Sequence, residues 1–358
     1  MKKDKIHGLF KGVAVGDQLE MAVETYDAAK IRKRHGRITG YIDPDPDHKW
    51  YKGMKAQTTD DWQQTVIVMR STAALIRSKP LFKKGTCFNP EVIARHHLEA
   101  YRKEETFGWG KTTRQAIKNM FDGFPWDKAG VNGSGGNGTI MKMSPLAVDF
   151  ARSYPDLTAL GRMDEKDRDK LVKFTVMTHN SDLAVAATFT HLYALVYLLN
   201  VNRAKDFNSR EFLALMLDGC DEGYFYAKRY GVAEINDNLF VRLQSLAKRA
   251  GSDNDRMSDE EIISEFGGGK AYLYDCLPFI YAFFLRNPYS IKSLYDVISA
   301  GGDTDTNGSI LASMLGALNG ERVFPDRLID GLWNKNEALA LIDRFCGAVY
   351  YLEDLCAK

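Results

Sequence analysis

Apolar residues recur at spacings of three and four along most of the 358-residue chain, the pattern of helices that bury one face. Several of these stretches begin with a capping residue, such as Asn208 before the one that starts at Ser209. The spacing predicts helices at 63–76, 90–102, 112–121, 169–177, 182–199, 209–230, 238–250, 259–266, 272–285, 290–298, 308–318 and 335–355. No convincing alternation of β-branched residues predicts a strand. We therefore predict an all-α fold with many helices packed around a core, in a single domain over residues 1–358.

Two apolar stretches resemble targeting or membrane segments, and we interpret both as structural helices. The stretch 9–15 is short, carries Lys11 and is followed directly by Asp17, so we predict the first structural helix there and no signal peptide. The stretch 183–199 holds His191 and several threonines and tyrosines, and is shorter than a typical membrane span. The polar stretch 149–169 is predicted to be a surface excursion between core helices. These features lead us to expect a cytoplasmic protein with no membrane partner.

Charge and cysteine content narrow the possible partners. The formal net charge is +1, so no global basic field is available to hold a nucleic-acid backbone, and we expect no nucleic-acid partner. The five cysteines are scattered and include no CxxC pair, which argues against a disulfide framework or a zinc knuckle. We expect reduced, mostly buried thiols and a monomeric protein.

Two acidic clusters precede predicted helices. The first is Thr58-Thr59-Asp60-Asp61, and the second is Gly301-Gly302-Asp303-Thr304-Asp305-Thr306. Each cluster taken alone is also explained as a helix N-cap. Together they supply hard oxygen donors that suit Mg²⁺, Mn²⁺ or Ca²⁺ rather than zinc. The two clusters can therefore converge on one binuclear metal centre, although they lie far apart in sequence.

A glycine-rich stretch and an isolated glutamate complete the set of candidates. The stretch 132–142 contains Gly135, Gly136, Asn137 and Gly138 and precedes an apolar helix start. Such a loop exposes backbone amides that can cradle a phosphate or a ribose, but a flexible surface loop is the alternative. Glu24 follows Gly16-Asp17 by seven residues.

The ordered set of motifs resembles the ADP-ribosylglycohydrolase family. It comprises Gly12-Val13-Ala14-Val15-Gly16-Asp17 with Glu24, Thr59-Asp60-Asp61, Gly108-Trp109-Gly110, Gly136-Asn137-Gly138 with Met141, Thr178-His179, and Gly301–Thr306 with Gly316-Ala317 and Gly320. Each motif is weak alone, but together they span nearly the whole chain in the family's order. The resemblance implies an all-α orthogonal bundle with two Mg²⁺ or Mn²⁺ ions in a cleft.

The resemblance also assigns roles to individual residues. The metal ligands it implies are Thr59, Asp60, Asp61, Asp303, Asp305 and Thr306. It places Glu24 beside the metals and the substrate ribose. The implied contacts to ADP-ribose are Gly135, Gly136, Asn137, Gly138, Met141 and His179. Trp109 is expected either to line the cleft or to be a core aromatic residue.

The activity that the resemblance implies is metal-dependent hydrolysis of ADP-ribose from a modified protein side chain, with arginine as the expected acceptor. A metal-bound water attacks the ribose carbon, and Asp60 or Asp61 takes its proton, with Glu24 as the rival base. Two alternatives stay open: a hydrolase of a small ADP-ribose derivative or another N-glycoside, and an inactive ADP-ribose-binding relative.

Three positions depart from the family's usual residues. Trp62 stands where threonine is usual, and a bulky ring there is expected to narrow the acceptor channel. Lys142 replaces an arginine and loses its bidentate fork, and Asn307 replaces an apolar residue. None of the three removes a predicted metal ligand, so we expect activity to survive.

Overall fold

The computed structural model describes residues 1–78, 85–155, 161–250 and 257–356, apart from the side chains of Asp305 and of residues 351–356. Its α-helices, numbered in chain order, are α1 Lys3–Glu20, α2 Ala28–His35, α3 Asp60–Ser78, α4 Pro90–Arg102, α5 Lys111–Phe121, α6 Ser144–Ser153, α7 Glu165–Val176, α8 Asp182–Asn200, α9 Ser209–Tyr230, α10 Leu239–Ala250, α11 Asp259–Glu265, α12 Leu273–Arg286, α13 Lys292–Ser299, α14 Thr304–Asn319, α15 Asp326–Asp330 and α16 Lys335–Cys356. The prediction of a mostly helical fold is confirmed. Two short strands, β1 Val131–Asn132 and β2 His179–Asn180, pair in parallel and were not predicted.

Two expectations from the sequence are corrected. Helix α2 was not predicted, because Ile31 is its one buried residue and the apolar periodicity is therefore weak. The stretch from Asp149 to Asp169 is not a surface excursion throughout. Asp149 lies within α6, is fully buried and accepts hydrogen bonds from the backbone N–H groups of Cys87 and Phe88. Asp167 is also buried, and it accepts hydrogen bonds of 2.8 Å from the backbone N–H of Thr86 and from the Lys170 side chain.

Helix α8 lies at the centre of the fold. By length and composition it could cross a membrane, but 94% of its apolar window is buried inside the protein, as the sequence predicted for a core helix. The buried residues of the other long helices form one continuous hydrophobic cluster with it. Cys220, Cys276 and Cys346 are buried free thiols in this core, and Cys87 is a half-buried one.

Helices α1 and α14 pack against each other through small residues. Gly8, Gly12 and Gly16 lie four residues apart on one face of α1, so they share a side of the helix. A Cβ atom at Gly12 would overlap the carbonyl of Ala312, and one at Gly16 would overlap the carbonyl of Gly308. The backbones therefore touch directly. This close approach brings the C-terminal end of α1 to the N-terminal end of α14.

We expect Gly12→Ala to lower the free energy of unfolding by about 3 kcal/mol, because the added methyl must push two packed helices apart. The matched control is Gly347→Ala in α16, where an added Cβ meets no atom within 4 Å. That substitution should stabilise the protein by about 0.5–1 kcal/mol through helix propensity. Urea unfolding of the three proteins measures both effects. Equal stability of the Gly12 variant and the wild type would contradict the direct backbone contact between α1 and α14.

Candidate metal centre and active site

Three helix ends meet at one point in the interior. The C-terminal end of α1 carries Asp17 and Glu20, the N-terminal end of α3 carries Asp60 and Asp61, and Asp303 is the residue before α14. The glycine contact between α1 and α14 brings the first and third of these ends together. The structure therefore brings together the two acidic clusters that the sequence singled out.

Asp17 joins α1 to the start of α3. Its Oδ2 accepts hydrogen bonds from the backbone N–H groups of Thr59, at 2.8 Å, and Trp62, at 3.2 Å. The Thr59 hydroxyl donates to the other carboxylate oxygen. Complete burial raises the pKa of Asp17 to about 7 despite these bonds. Asp17 thus caps α3, and the motif that contains it holds the first acidic cluster in place.

Asp60 and Asp61 are both buried in the first turn of α3. Asp61 Oδ2 accepts a hydrogen bond of 3.1 Å from the Thr306 hydroxyl, which links the two clusters directly. Burial, together with the charges of Asp17 and Asp303, raises the pKa of both carboxyl groups well above the usual value for aspartate. Adjacent carboxylates at this depth are stable as anions only with positive charge beside them.

The backbone before α14 makes a sharp bend at two glycines. Gly301 and Gly302 have φ values of 80° and 98°, in the left-handed region that favours glycine. Gly302 exchanges backbone hydrogen bonds of 2.9 Å with the segment that follows Glu24, at Thr25 and Tyr26. The bend therefore fixes the position of the adjacent Asp303. The predicted ligand Asp305 lies in α14, and its side chain is outside the described part of the structure.

Glu20 was not singled out from the sequence, although it follows Asp17 by three residues on the same helix face. It is fully buried, and its Oε2 accepts a hydrogen bond of 2.7 Å from the backbone N–H of Gly308. Its backbone carbonyl accepts one from the Thr304 hydroxyl at 3.0 Å. Burial, together with the charge of Asp61, raises the pKa of Glu20 well above its ordinary value. Glu20 therefore belongs to the acidic centre.

The donor set fits divalent cations. Among the described side chains, no three His, Cys, Asp or Glu residues already stand in a metal-holding group. Buried oxygens without a hydrogen-bond partner in that part of the chain nevertheless include Asp61 Oδ1, Glu20 Oε1 and Glu24 Oε2. Unpartnered buried carboxylate oxygens are costly unless a cation binds them, and hard oxygen donors suit Mg²⁺ or Mn²⁺.

The glycine-rich loop lies next to this centre. Asn137 donates a hydrogen bond of 2.6 Å from Nδ2 to Asp303 Oδ2 and another of 3.0 Å from its backbone to the carbonyl of Ala271. His179 lies buried beneath the loop. A Cβ atom at Gly138 would come within 2.9 Å of its ring, and the His179 Nδ1 is 2.9 Å from the Thr178 hydroxyl. Burial lowers the pKa of His179 to about 3, so the ring is neutral and supports the loop.

The other predicted substrate contacts lie at different depths. Trp109 is buried against His97, with ring centroids 5.6 Å apart, which matches its interpretation as a core aromatic residue. The preceding Gly108 is closer to the acidic centre, since a Cβ there would lie 3.1 Å from Asp60 Oδ1. Met141 is buried beneath the loop, and Gly135 packs against the Tyr272 ring.

Lys142 does not face a cleft. It is completely buried, and its Nζ donates a hydrogen bond of 2.9 Å to Gln64 Oε1. Gln64 in turn donates from Nε2 to Asp60 Oδ2 at 3.0 Å. Burial lowers the pKa of Lys142 to about 7, and the nearby charge of Asp60 opposes that shift. Lys142 therefore reaches the acidic centre through Gln64, a residue that the sequence did not indicate.

We expect Gln64→Leu to raise the metal concentration needed for half-maximal activity by about 10–100-fold, because Asp60 loses the amide that orients it. The matched control is Gln63→Leu, one position along α3 and only partly buried. Activity titrated with Mg²⁺ or Mn²⁺ measures the shift. A Gln64 variant with an unchanged titration curve would contradict this role.

A cavity of about 590 Å³ opens beside the acidic centre. Its wall includes Thr25, Gly302 and Asp303 together with Lys270. The volume falls within the roughly 300–1,000 Å³ that is common for ligand pockets. Substrate atoms in this cavity can reach Asp303 directly.

Comparison with known proteins identifies the family of the chain. A family model described as ADP-ribosylglycohydrolase matches residues 1–354. The ADP-ribosylhydrolase ARH3 of Mus musculus is 23% identical over 347 residues, which cover 90% of this chain and 85% of that protein. The ADP-ribosyl-[dinitrogen reductase] glycohydrolase of Rhodospirillum rubrum is 23% identical over 337 residues, covering 93% and 92%.

A solved structure shares the fold. It is an ADP-ribosylglycohydrolase-related protein complex that aligns with a TM-score of 0.63 at 22% identity, over 97% of this chain and 98% of that one. The helical fold and the buried acidic centre, taken with these matches, define a glycohydrolase. The chain belongs to the ADP-ribosylglycohydrolase family.

Proposed function

We propose that the protein is a metal-dependent hydrolase that releases ADP-ribose from an arginine side chain of a modified protein. The observation that carries the proposal is the cluster of buried carboxylates around Asp61, with oxygens that no described residue satisfies. Two divalent cations held by Thr59, Asp60, Asp61, Asp303, Asp305 and Thr306 would balance these charges. When bound, they would orient the ribose hydroxyls and lower the pKa of a water molecule.

The residues of the chain hold and position the substrate. Asn137 and the loop around it can hold the ribose and diphosphate beside Asp303, to which the Asn137 amide is bonded. Lys270, which lines the adjoining cavity, supplies a cation for the diphosphate. Arginine is the acceptor that the family resemblance implies, and a survey of linkages tests it.

The reaction breaks the bond between the ribose C1″ and the acceptor nitrogen and forms a bond from C1″ to the water oxygen. One proton of the water passes to a carboxylate, which then releases it to solvent, and the acceptor nitrogen takes up a proton from solvent as it leaves. The net reaction adds one water across the broken bond. Glu24 is our choice for that carboxylate over Asp60 and Asp61. What supports it is that Asp60 and Asp61 are both assigned to the cations in this proposal, whereas Glu24 is partly buried beside them and is not among the six proposed ligands.

A survey of linkages tests the acceptor. ADP-ribosylated arginine, serine and small-molecule substrates are incubated with the metal-loaded enzyme, and the products are separated by chromatography. We expect ADP-ribose and unmodified acceptor from the arginine substrate at the highest rate. Faster release from the serine or small-molecule substrate would show that arginine is not the preferred acceptor.

A further inference from the structure

A second cavity, of about 560 Å³, runs along the outer face of α3, and we call it the α3 groove. Its walls are the α3 residues Trp62 and Arg70, the segment 104–107, and the start of α16 with Trp333 and Glu337. From Trp62 to Arg70 the helix rises by about 12 Å, the length of three or four extended residues. The groove is therefore suited to a short polypeptide segment.

One end of the groove lies beside the acidic centre. Thr58 and Trp62, which line it, flank the cluster Thr59–Asp61. Phe107 also lines it, and the next residue, Gly108, packs against Asp60. The ring of Phe107 is 5.7 Å from that of Tyr51, whose hydroxyl is hydrogen-bonded to the Glu24 carboxylate. The inner end of the groove is therefore formed by residues that adjoin the acidic centre along the chain and by their ring contacts.

The groove has an aromatic floor and an acidic rim. Trp62 and Phe107 lie at the end near the centre, and the Trp333 side chain is 43% exposed. Aromatic faces of this kind attract guanidinium and ammonium groups. The aromatic surface can pack against the aliphatic part of a lysine or arginine side chain, and the carboxylates can pair with its charged end.

The charges of the rim are unbalanced. Glu104 and Glu105 are exposed and make no ion pair within the described residues. Glu337 lies 3.9 Å from Arg70, and both side chains are more than half exposed. Three carboxylates therefore face a single guanidinium, although the whole chain is nearly neutral. A basic segment is the complementary partner.

We propose that the α3 groove binds the polypeptide segment that carries the modified arginine and selects acceptors with lysine or arginine beside it. This inference rests on the proposed function, since it assigns the acceptor side of the same reaction. Trp62, at the inner end, sets the width of the path from the centre into the groove. The charge pattern gives specificity through the encounter with the acceptor more than through chemistry at the ribose.

The test uses three substrates of the metal-loaded wild-type enzyme. Two are ADP-ribosylarginine peptides that differ only in flanking residues, lysine in one and glutamate in the other, and the third is free ADP-ribosylarginine. We expect kcat/KM to be about tenfold higher for the basic peptide than for the acidic one, with a ratio that falls as salt is added. A ratio near one at low salt would overturn the inference without any variant.

A variant assigns the preference to the groove. Glu104→Gln/Glu105→Gln/Glu337→Gln should bring the ratio of basic to acidic peptide close to one. The control, Asp218→Asn/Glu234→Gln/Glu260→Gln, removes three exposed carboxylates elsewhere and should keep the wild-type ratio. A groove variant that retains the wild-type ratio overturns the inference. If that variant still releases ADP-ribose from free ADP-ribosylarginine, the proposed function is unaffected. No release from any substrate by the wild type overturns both.

Discussion

Replacing Asp61 with Asn is expected to lower kcat for ADP-ribose release by about 10³-fold or more. The substitution keeps the size of the side chain but removes one of the buried charges that would hold the cations. Asp61 Oδ1 has no described hydrogen-bond partner, and its Oδ2 is 3.1 Å from the Thr306 hydroxyl. The loss should therefore appear in metal binding and in turnover together, as measured by calorimetry and by steady-state kinetics.

Glu24→Gln is the companion variant, and it tests whether Glu24 acts as a base rather than as a metal ligand. We expect a loss of kcat of about 10²–10⁴-fold with metal binding retained, because Glu24 is assigned to the proton and not to the cations. Asp218→Asn, an exposed change on α9, is the control for both variants and should be fully active. If the Asp61 variant turned over at the wild-type rate, the acidic centre would not be the site of the reaction.

The second large effect is a dependence of stability on pH and metal. In the folded, metal-free protein the pKa values of Asp17 and Glu24 are about 7, above their ordinary values of 3.8 and 4.5. Between about pH 4 and 7 the folded state therefore binds more protons than the unfolded state. The free energy of unfolding must then decrease as the pH rises through that window.

Bound metal should reverse this trend, because it requires the deprotonated carboxylates. At a metal concentration one hundred times Kd, the stabilisation is about 2.7 kcal/mol. We expect it to be much larger at about pH 8 than at about pH 5, where protons compete for the same oxygens. Thermal unfolding with and without Mn²⁺ at the two pH values measures it, with Asp61→Asn as the metal-insensitive control. Equal stabilisation of wild type and variant would contradict the account.

The sequence predicted the helices well where the apolar periodicity was strong. Helices α4 and α9 have the predicted bounds, Pro90–Arg102 and Ser209–Tyr230. Helix α2 was missed because a mostly polar helix with one buried residue, Ile31, carries almost no periodic signal. The buried role of Asp149 was missed because its partners, the backbone N–H groups of Cys87 and Phe88, are about 60 residues away and are set by the tertiary structure.

The residues of the candidate site were likewise predicted only where the signal is local in sequence. The clusters at Asp60 and Asp303 were visible because they break the apolar pattern just before two helices. Glu20 was not visible as a member, since its partner Gly308 lies 288 positions away and is brought to it by the glycine contact of two helices. The sequence showed only that Lys142 stands where arginine is usual in the family. Its actual partner is Gln64, which no spacing in the sequence relates to it.

The central claim is that ADP-ribose release depends on divalent metal held by the acidic centre. Its most direct test is chromatographic detection of ADP-ribose from an ADP-ribosylarginine peptide, using one preparation before chelation, after chelation and after Mg²⁺ or Mn²⁺ is restored. We predict release before chelation, loss of release by about 10³-fold after it, and full recovery when metal is returned. Undiminished release by the chelated enzyme, with its bound metal shown to be absent, would contradict the account.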